Sequence, residues 1–504
     1  MQLSKFMRLI QNEFIKVFAK PIAFIMIILI PIIAFGYGFA LKSILSTQHY
    51  SSDEGMSDEN YVNDYISGIN SSLMTGDGKY SKEDGSYLKE KMQLAVDIRD
   101  GKIDVDITSW QMSALLSKAE ATAMADDVKE YDAESAAKYL ETADAMQRAV
   151  DNDDLEMYLD AQISSTDDQI AALTAEEDSS ELKATRDSLV LRKNNNIQPV
   201  CTEIKYSYYY EGNLPWQENM IRDYQRAKVS QYSGKSGEGI MTDAQVSANN
   251  DEVALMEYRL NNNIPEIEGK SQFGFVLESA SLVSVISIFI IIIASTMMAQ
   301  EYTSGTIKLL LISPHKRWKI FAAKLVSVFL ISLILLVILF ISSIIAGGVL
   351  FGFDFSQLWL TINDGVVSSS HAFIPCLLRY LLACPQLLVM TSLAIMFAVI
   401  MRHSAVAIGV GVAFVFGGSV ISQILSLMHY DFKKFILFMN TDLSVYFSSL
   451  RSSLMEELTG SNDIVSSMYS GMTFWFSLAV LAVYFICFTY IALDSFNRRD
   501  IKQS

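Results

Sequence analysis

Residues Phe321–Leu350 read FAAKLVSVFLISLILLVILFISSIIAGGVL. Beyond Lys324 the run carries no charged residue, and it exceeds the roughly 20 apolar residues that a helix needs to cross a bilayer core. Backbone polar groups in hydrocarbon must be satisfied inside their own segment, so the run predicts a membrane-spanning helix. Taken alone, it could be a buried core helix. Five further runs exclude that reading: Pro21–Leu41, Leu282–Met298 with an apolar lead-in from Phe273, Leu377–Met401, Ala405–Met428 and Met472–Leu493. None has Asp, Glu, Lys or Arg through its middle. The sequence predicts an α-helical membrane protein with six transmembrane helices.

Composition agrees once the chain is divided. It is 51% hydrophobic, too apolar for an ordinary soluble protein, yet its net charge is −17, which membrane spans cannot supply. From Ser51 to Lys270 there are 44 Asp and Glu against 21 Lys and Arg, while the remainder has 12 against 18. A soluble acidic block therefore interrupts a slightly basic membrane protein.

Orientation follows from the basic residues beside the spans. Lys5, Arg8, Lys16 and Lys20 precede the first span, and Lys308, Lys316, Arg317, Lys319 and Lys324 separate the second from the third. Arg402 and His403 link the fourth to the fifth, and Arg498, Arg499 and Lys502 follow the sixth. With six spans all four segments share one side. The expectation is a multi-pass protein of the cell membrane with both termini cytoplasmic and residues 42–271 extracellular.

The first 20 residues lead into span 1, residues 21–41, with no small-residue cleavage site after it, so the span reads as an anchor. Phe6, Leu9, Ile10, Phe14 and Val17 recur near helical spacing with Lys and Arg opposite. Residues 1–20 are read as a cytoplasmic amphipathic interfacial helix. A straight extension of span 1 is the alternative, since Pro21 permits either. Residues 272–504 hold spans 2–6, with a cytoplasmic loop at 299–320.

Within the acidic block, no Gly or Pro occurs between Lys102 and Gln198, and helix formers abound. Breaks near Asp151–Asp154 and Glu176–Ser180 predict two or three helices, a hairpin or small bundle over about 102–198. The flanking runs SSDEGMSDEN, QYSGKSGEG and SANN read as loops, and EIKYSYYY (Glu203–Tyr210) as a strand.

Little points to catalysis. Five scattered His give no metal-binding spacing. Cys201 is alone in the outer block, so no disulfide can form within it, and Cys376, Cys384 and Cys487 read as small apolar residues. Ser233-Gly234-Lys235-Ser236 imitates the end of a phosphate loop, but Val229 stands where that loop needs Gly. An acidic soluble block would repel nucleic acid. No catalytic or metal residue is assigned, and the chain is not read as an enzyme. Charged residues are also missing from the span middles, which argues against a proton relay and for energy supplied by another subunit.

The most informative stretch is MMAQEYTSGTIKLLLISPHKRWKIFAAKL, Met297–Leu325. It leaves the second span at Glu301, turns at Ser304-Gly305-Thr306, runs as a short amphipathic helix to Leu311 and is stopped by Pro314. Glu301, Gly305-Thr306-Ile307-Lys308, Leu309-Leu310, Pro314, Arg317 and Lys324 resemble the E…GT(I/L)K.LL..P..R…K pattern of type-2 ATP-binding-cassette (ABC) exporter permeases. The nearest subgroup in appearance is the bacitracin- and lantibiotic-export-like permeases of Gram-positive bacteria. Glu13, Lys16 and Lys20-Pro21 resemble that family's amphipathic start, and EYRLNNNIPE (Glu257–Glu266) resembles its approach to the second span. The resemblance covers about half the chain; the large outer domain departs from the family's smallest members.

That resemblance implies two permeases, identical or related, working with two cytoplasmic ATPase subunits in a lipid membrane. ATP and Mg would be used by the ATPase, with no cofactor on this chain. Glu13, Lys16, Glu301, Gly305, Thr306, Lys308, Pro314 and Arg317 would be the coupling residues. The cargo would be a hydrophobic or amphipathic compound, a peptide antibiotic or a lipid-like molecule, and no substrate-binding residue is assigned. The alternative reading is a surface receptor, sensor or envelope scaffold whose outer helices bind a peptide, phage or envelope partner.

Overall fold

The computed structural model describes residues 2–47, 57–75, 82–174, 178–205, 214–236, 239–267, 271–303, 317–363, 365–401, 403–426, 431–447 and 472–498. Six described segments are helical, long and apolar enough to cross a membrane: Pro21–Ile44, Gln272–Met298, Arg317–Phe351, Phe373–Met401, Ser404–Ser422 and Phe474–Asn497. The chain is an α-helical membrane protein. It divides into two units, one comprising residues 1–44, 267–359 and 370–504, the other residues 45–266 with 360–369.

The chain opens with α1 (Gln2–Phe18) and α2 (Pro21–Thr47). A turn at Ala19–Lys20 separates them, so α1 is not an unbroken extension of the first span. Pro31 is accommodated inside α2, as proline often is in membrane helices.

The acidic unit contains α3 (Asp58–Thr75), α4 (Lys82–Arg99), α5 (Trp110–Val128), α6 (Ala133–Asp151), α7 (Leu155–Ala172), α8 (Ser180–Asn195), α9 (Trp216–Ser233) and α10 (Asp243–Asn262). The stretch expected to hold two or three helices thus holds four, α5–α8. The overlooked break is Lys129–Asp132, where Asp132 accepts from the backbone N–H of Ser135 and starts α6. Ser109 and Asp154 cap α5 and α7 in the same way. SANN is not a loop. It lies inside α10, started by a reciprocal capping box between Thr242 and Gln245. Glu203–Lys205 form a bend and turn, and the rest of the expected strand lies outside the described residues.

Three apolar clusters hold this unit. Tyr61, Val62, Ile66, Met112 and Leu116 form one, Trp110, Met146 and Leu159 another, and Ile221, Tyr224 and Leu260 a third. Between α8 and α9, buried Arg192 donates two hydrogen bonds to Glu218, at 2.7 and 3.0 Å. Gly234 ends α9 in a left-handed conformation and leads into a short ribbon, β1 (Lys235–Ser236) with β2 (Gly239–Ile240). The phosphate-loop look-alike therefore follows a helix C-terminus, whose carbonyls repel phosphate.

The membrane unit continues with α11 (Gln272–Ser279), a 3-10 turn at Ala280–Leu282 and α12 (Val283–Thr303). The break coincides with hydroxyls competing for backbone carbonyls. Ser279 donates to the carbonyl of Val276, Ser281 to that of Glu278 and Ser284 to that of Ser281. Along the chain then come α13 (Arg317–Phe351), the strands β3 (Leu358–Asn363) and β4 (Val366–His371), whose residues 360–369 belong to the other unit, and α14 (Phe373–Leu382), α15 (Cys384–Met401), α16 (Ser404–Ser426) and α17 (Phe474–Arg498). The fourth span is broken between α14 and α15, where Pro385 can donate no backbone hydrogen bond.

Close packing in this unit uses glycine where helices meet. A Cβ on Gly347 would lie 2.8 Å from the carbonyl oxygen of Gln272 and 3.2 Å from the Phe275 ring. One on Gly38 would lie 2.5 Å from Leu350 and 3.0 Å from Phe275. Phe275, fully buried, thus sits between two glycines that admit its ring. The broad apolar core runs from Val17 through Ile290, Leu335 and Leu393 to Phe496.

Candidate functional site

The site grows from α1. Ile10, Glu13 and Val17 lie at positions i, i+3 and i+7, one stripe of a helix, and all three are buried. Phe6, Leu9 and Phe14, expected beside them as a lipid-facing set, are only partly covered, while Ile15 and Met7 are exposed. The buried stripe of α1 is therefore turned toward α13 and carries a carboxylate in its centre.

That carboxylate is paired twice. Lys324 Nζ donates to Glu13 Oε2 at 2.7 Å, and Lys16 Nζ to Oε1 at 2.8 Å. Lys324 has no exposed side-chain surface, whereas Lys16 is 54% exposed. A third link runs from Ser327 Oγ, one turn along α13, to the backbone carbonyl of Ile10 at 3.3 Å. Burial alone would push the Glu13 carboxyl up. The neighbouring Lys324 charge and the hydrogen bonds from Lys16 and Lys324 outweigh it and hold the group below its ordinary value. Glu13 is thus an ionised, fully engaged anchor.

Arg317, at the start of α13, donates to the carbonyl of Asn497 at 3.1 Å, close to the C-terminus of α17. A cation there complements the helix dipole. This end of the unit therefore joins α1, α13 and α17 through charged side chains. Lys42 makes the corresponding contact at the other end of α13, donating to the carbonyl of Leu350 at 2.6 Å.

Polar groups also gather toward that other end. Tyr380 Oη lies 3.0 Å from Ser279 Oγ and donates to Ser343 Oγ at 3.2 Å. Glu278 and Arg379 are buried nearby in sequence. Sequence reading kept charge out of the span middles only; Glu278 falls in the lead-in to the second span and Arg379 near the start of the fourth, and both lie within the helices long enough to cross a membrane. Ser343 lies 19 residues beyond Lys324 on one continuous helix, about 28 Å at 1.5 Å per residue. The two polar groups mark opposite ends of the bundle.

Of the coupling residues expected from sequence, the structure brings Glu13 and Lys16 together and adds Lys324 as their partner. Arg317 stands seven residues before Lys324 on the same helix, α13, engaged with α17. Glu301 lies in the last turn of α12, its side chain not described, and Gly305, Thr306, Lys308 and Pro314 lie outside the described residues. Lys324 stood in the quoted pattern without a role. The signal that could have found it was an acid at the centre of an apolar helical stripe, which demands a buried cation. Among the described residues no group of His, Cys, Asp or Glu could hold a metal ion.

Known proteins match about half of the chain. The family described as "Protein of unknown function (DUF2705)" matches residues 240–502, just over half of the chain. The chain belongs to the DUF2705 family. Among its relatives is "Uncharacterized protein YhcI" of Bacillus subtilis (strain 168), 32% identical over 252 residues, which are 49% of this chain and 75% of that protein. Another, "Uncharacterized membrane protein YdbK" of the same strain, is 27% identical over 231 residues, 45% of this chain and 83% of its own length. No solved structure matches. The DUF2705 match begins just before α10 and runs through α17, so it includes Lys324 and Arg317.

Proposed function

We propose that the chain is the permease subunit of an ATP-driven ABC exporter, with hydrolysis performed by a separate cytoplasmic ATPase. The observation that carries this reading is the buried Glu13–Lys324 pair. It ties α1 to the base of α13, and both segments carry residues that resemble type-2 permeases. A force applied at the loop between α12 and α13 would enter the bundle where α1, α13 and α17 are joined by charged side chains. Such a joint transmits a push because breaking it would strand a charge in a low-dielectric interior.

In this reading both termini and the 299–320 loop are cytoplasmic, residues 42–271 are extracellular, and two permeases meet two ATPase subunits. The resemblance points to a hydrophobic or amphipathic cargo, a peptide antibiotic or lipid-like compound. The strongly acidic outer unit would concentrate cationic amphiphiles at the exit.

The test is reconstitution of the chain in vesicles with a candidate ABC ATPase partner. The permease is expected to copurify with the ATPase and raise its hydrolysis rate, and Glu301→Ala or Gly305→Pro to abolish that stimulation. Hydrolysis indifferent to the permease and to both substitutions would reject the reading.

A further inference from the structure

A cleft of about 340 Å³ lies within the membrane unit between α13, α15 and α17, lined by Phe329, Cys384, Leu388, Leu481 and Phe485 among others. This is within the roughly 300–1,000 Å³ range of small-molecule sites. It adjoins the break between α14 and α15, since Cys384 and Pro385 at the start of α15 are among its lining residues. Phe329 lies 12 residues into the 35-residue α13, about 18 Å from its start, so the cleft is at hydrocarbon depth.

We propose that this cleft holds an acyl chain of a bilayer phospholipid. The lining is apolar throughout apart from the Cys384 thiol, whose Sγ is turned to the backbone carbonyl of Tyr380 at 3.9 Å. An enclosed water needs two to four polar partners, and the lining offers none beyond that thiol. A peptide or headgroup would likewise bury unsatisfied polar atoms there. Access is from the side. Ala482, one of the lining residues, is exposed, and Val483 and Ile486 on the same helix are 59% and 62% exposed, as expected of residues facing lipid tails.

Binding here has a particular physical character. Lipid tails are as apolar as leucine, so no hydrophobic driving force favours the cleft over the bulk bilayer. What favours it is dispersion contact, forfeited wherever a void is left beside the lining. The site selects for slender unbranched hydrocarbon and exchanges with the surrounding leaflet. The proposal needs neither an ATPase nor a cargo, so it stands or falls separately from the export reading.

The experiment uses the full chain in vesicles of phosphatidylcholine, part of it carrying a photoactivatable diazirine midway along one acyl chain. After irradiation, adducts are mapped by peptide mass spectrometry. Leu388, Leu481 and Phe485 are expected to carry several-fold more adduct than Val483 and Ile486, which face outward on the same helix. Ala482→Trp should reduce labelling at Leu388 and Phe485 by at least half, and Ile486→Trp should leave it unchanged. If Ala482→Trp does not fold, Phe485→Ala, which widens the cleft, should raise labelling at Leu388. Equal labelling of lining and outward residues would overturn the proposal. So would insensitivity to both cleft variants, or an unlabelled lining, which would mean that protein, such as a second copy of this chain, fills the cleft.

Discussion

Glu13 and Lys324 set the strictest requirement at the scale of single residues. Removing one partner of a buried pair leaves an uncompensated charge and costs about 3–5 kcal/mol, whereas replacing both by apolar groups is often neutral. Glu13→Gln or Lys324→Met alone should therefore lower the unfolding temperature of the detergent-solubilised protein markedly. The double variant should recover most of the loss, and purely additive losses would show that the two side chains are not coupled. In the acidic unit Glu218 answers to the same logic. Burial works to raise its pKa, but the hydrogen bonds and charges of Arg192 and Arg222 prevail and hold it below the ordinary glutamate value. A depressed carboxyl contributes stability above its unfolded value, about 4.3, and loses it as pH falls through the folded value. Glu218→Gln should thus be clearly less stable than the wild type at neutral pH. The gap should narrow steadily as acid protonates the wild-type carboxylate, and chemical unfolding at a series of pH values measures it. A gap independent of pH would exclude the ion pair as its source.

Elements depend on close approach and on caps. Gly347→Val would drive a side chain against the carbonyl oxygen of Gln272, which cannot swing aside as a flexible side-chain end could. Forced overpacking of this kind costs about 1–3 kcal/mol. Thermal unfolding should show the loss, and Gly36→Val, at a position where an added Cβ would meet nothing within 4 Å, should show little of it. Thr242→Ala removes the side-chain acceptor of the α10 capping box, at a typical cost of about 0.5–2 kcal/mol. How far these elements could be read from sequence depended on their signals. The spans were legible because uninterrupted apolar runs have few other solutions. The break at Ala280–Leu282 was not, since its hydroxyl-to-carbonyl bonds involve serines that also occur inside continuous membrane helices. The α5–α6 junction was missed because no Gly or Pro marks it, and one Asp among many does the capping. At the candidate site Glu13 and Lys16 were singled out by resemblance. Their partner was hidden because the pairing joins residues 311 positions apart, beyond any local pattern.

The two units pose different demands on the molecule. One is a bundle whose outward faces expose Ile28, Val337, Ile341 and Ile486, which suits lipid and not water. The other carries most of the acidic residues and binds its helices together through small apolar clusters and ion pairs. For the orientation inferred from the basic residues, a fluorescent protein that matures only in the cytoplasm is the direct probe. Fused after Ser504 it should fluoresce, and inserted at Ser51 it should stay dark. The reverse pattern would invert the topology and remove the proposed ATPase contact.

Joining residues 13 and 324 also imposes an order on biogenesis. At roughly 5–20 residues per second, the ribosome makes Lys324 on the order of 15–60 s after Glu13. Throughout that interval the carboxylate of the leader helix lacks its buried cationic partner, Lys324. Docking of that helix therefore reports that the start of the third span has been made, the earliest moment at which Glu13 and Lys324 can meet. Quality control that senses an undocked leader would distinguish a chain stalled before that span from one that has passed it.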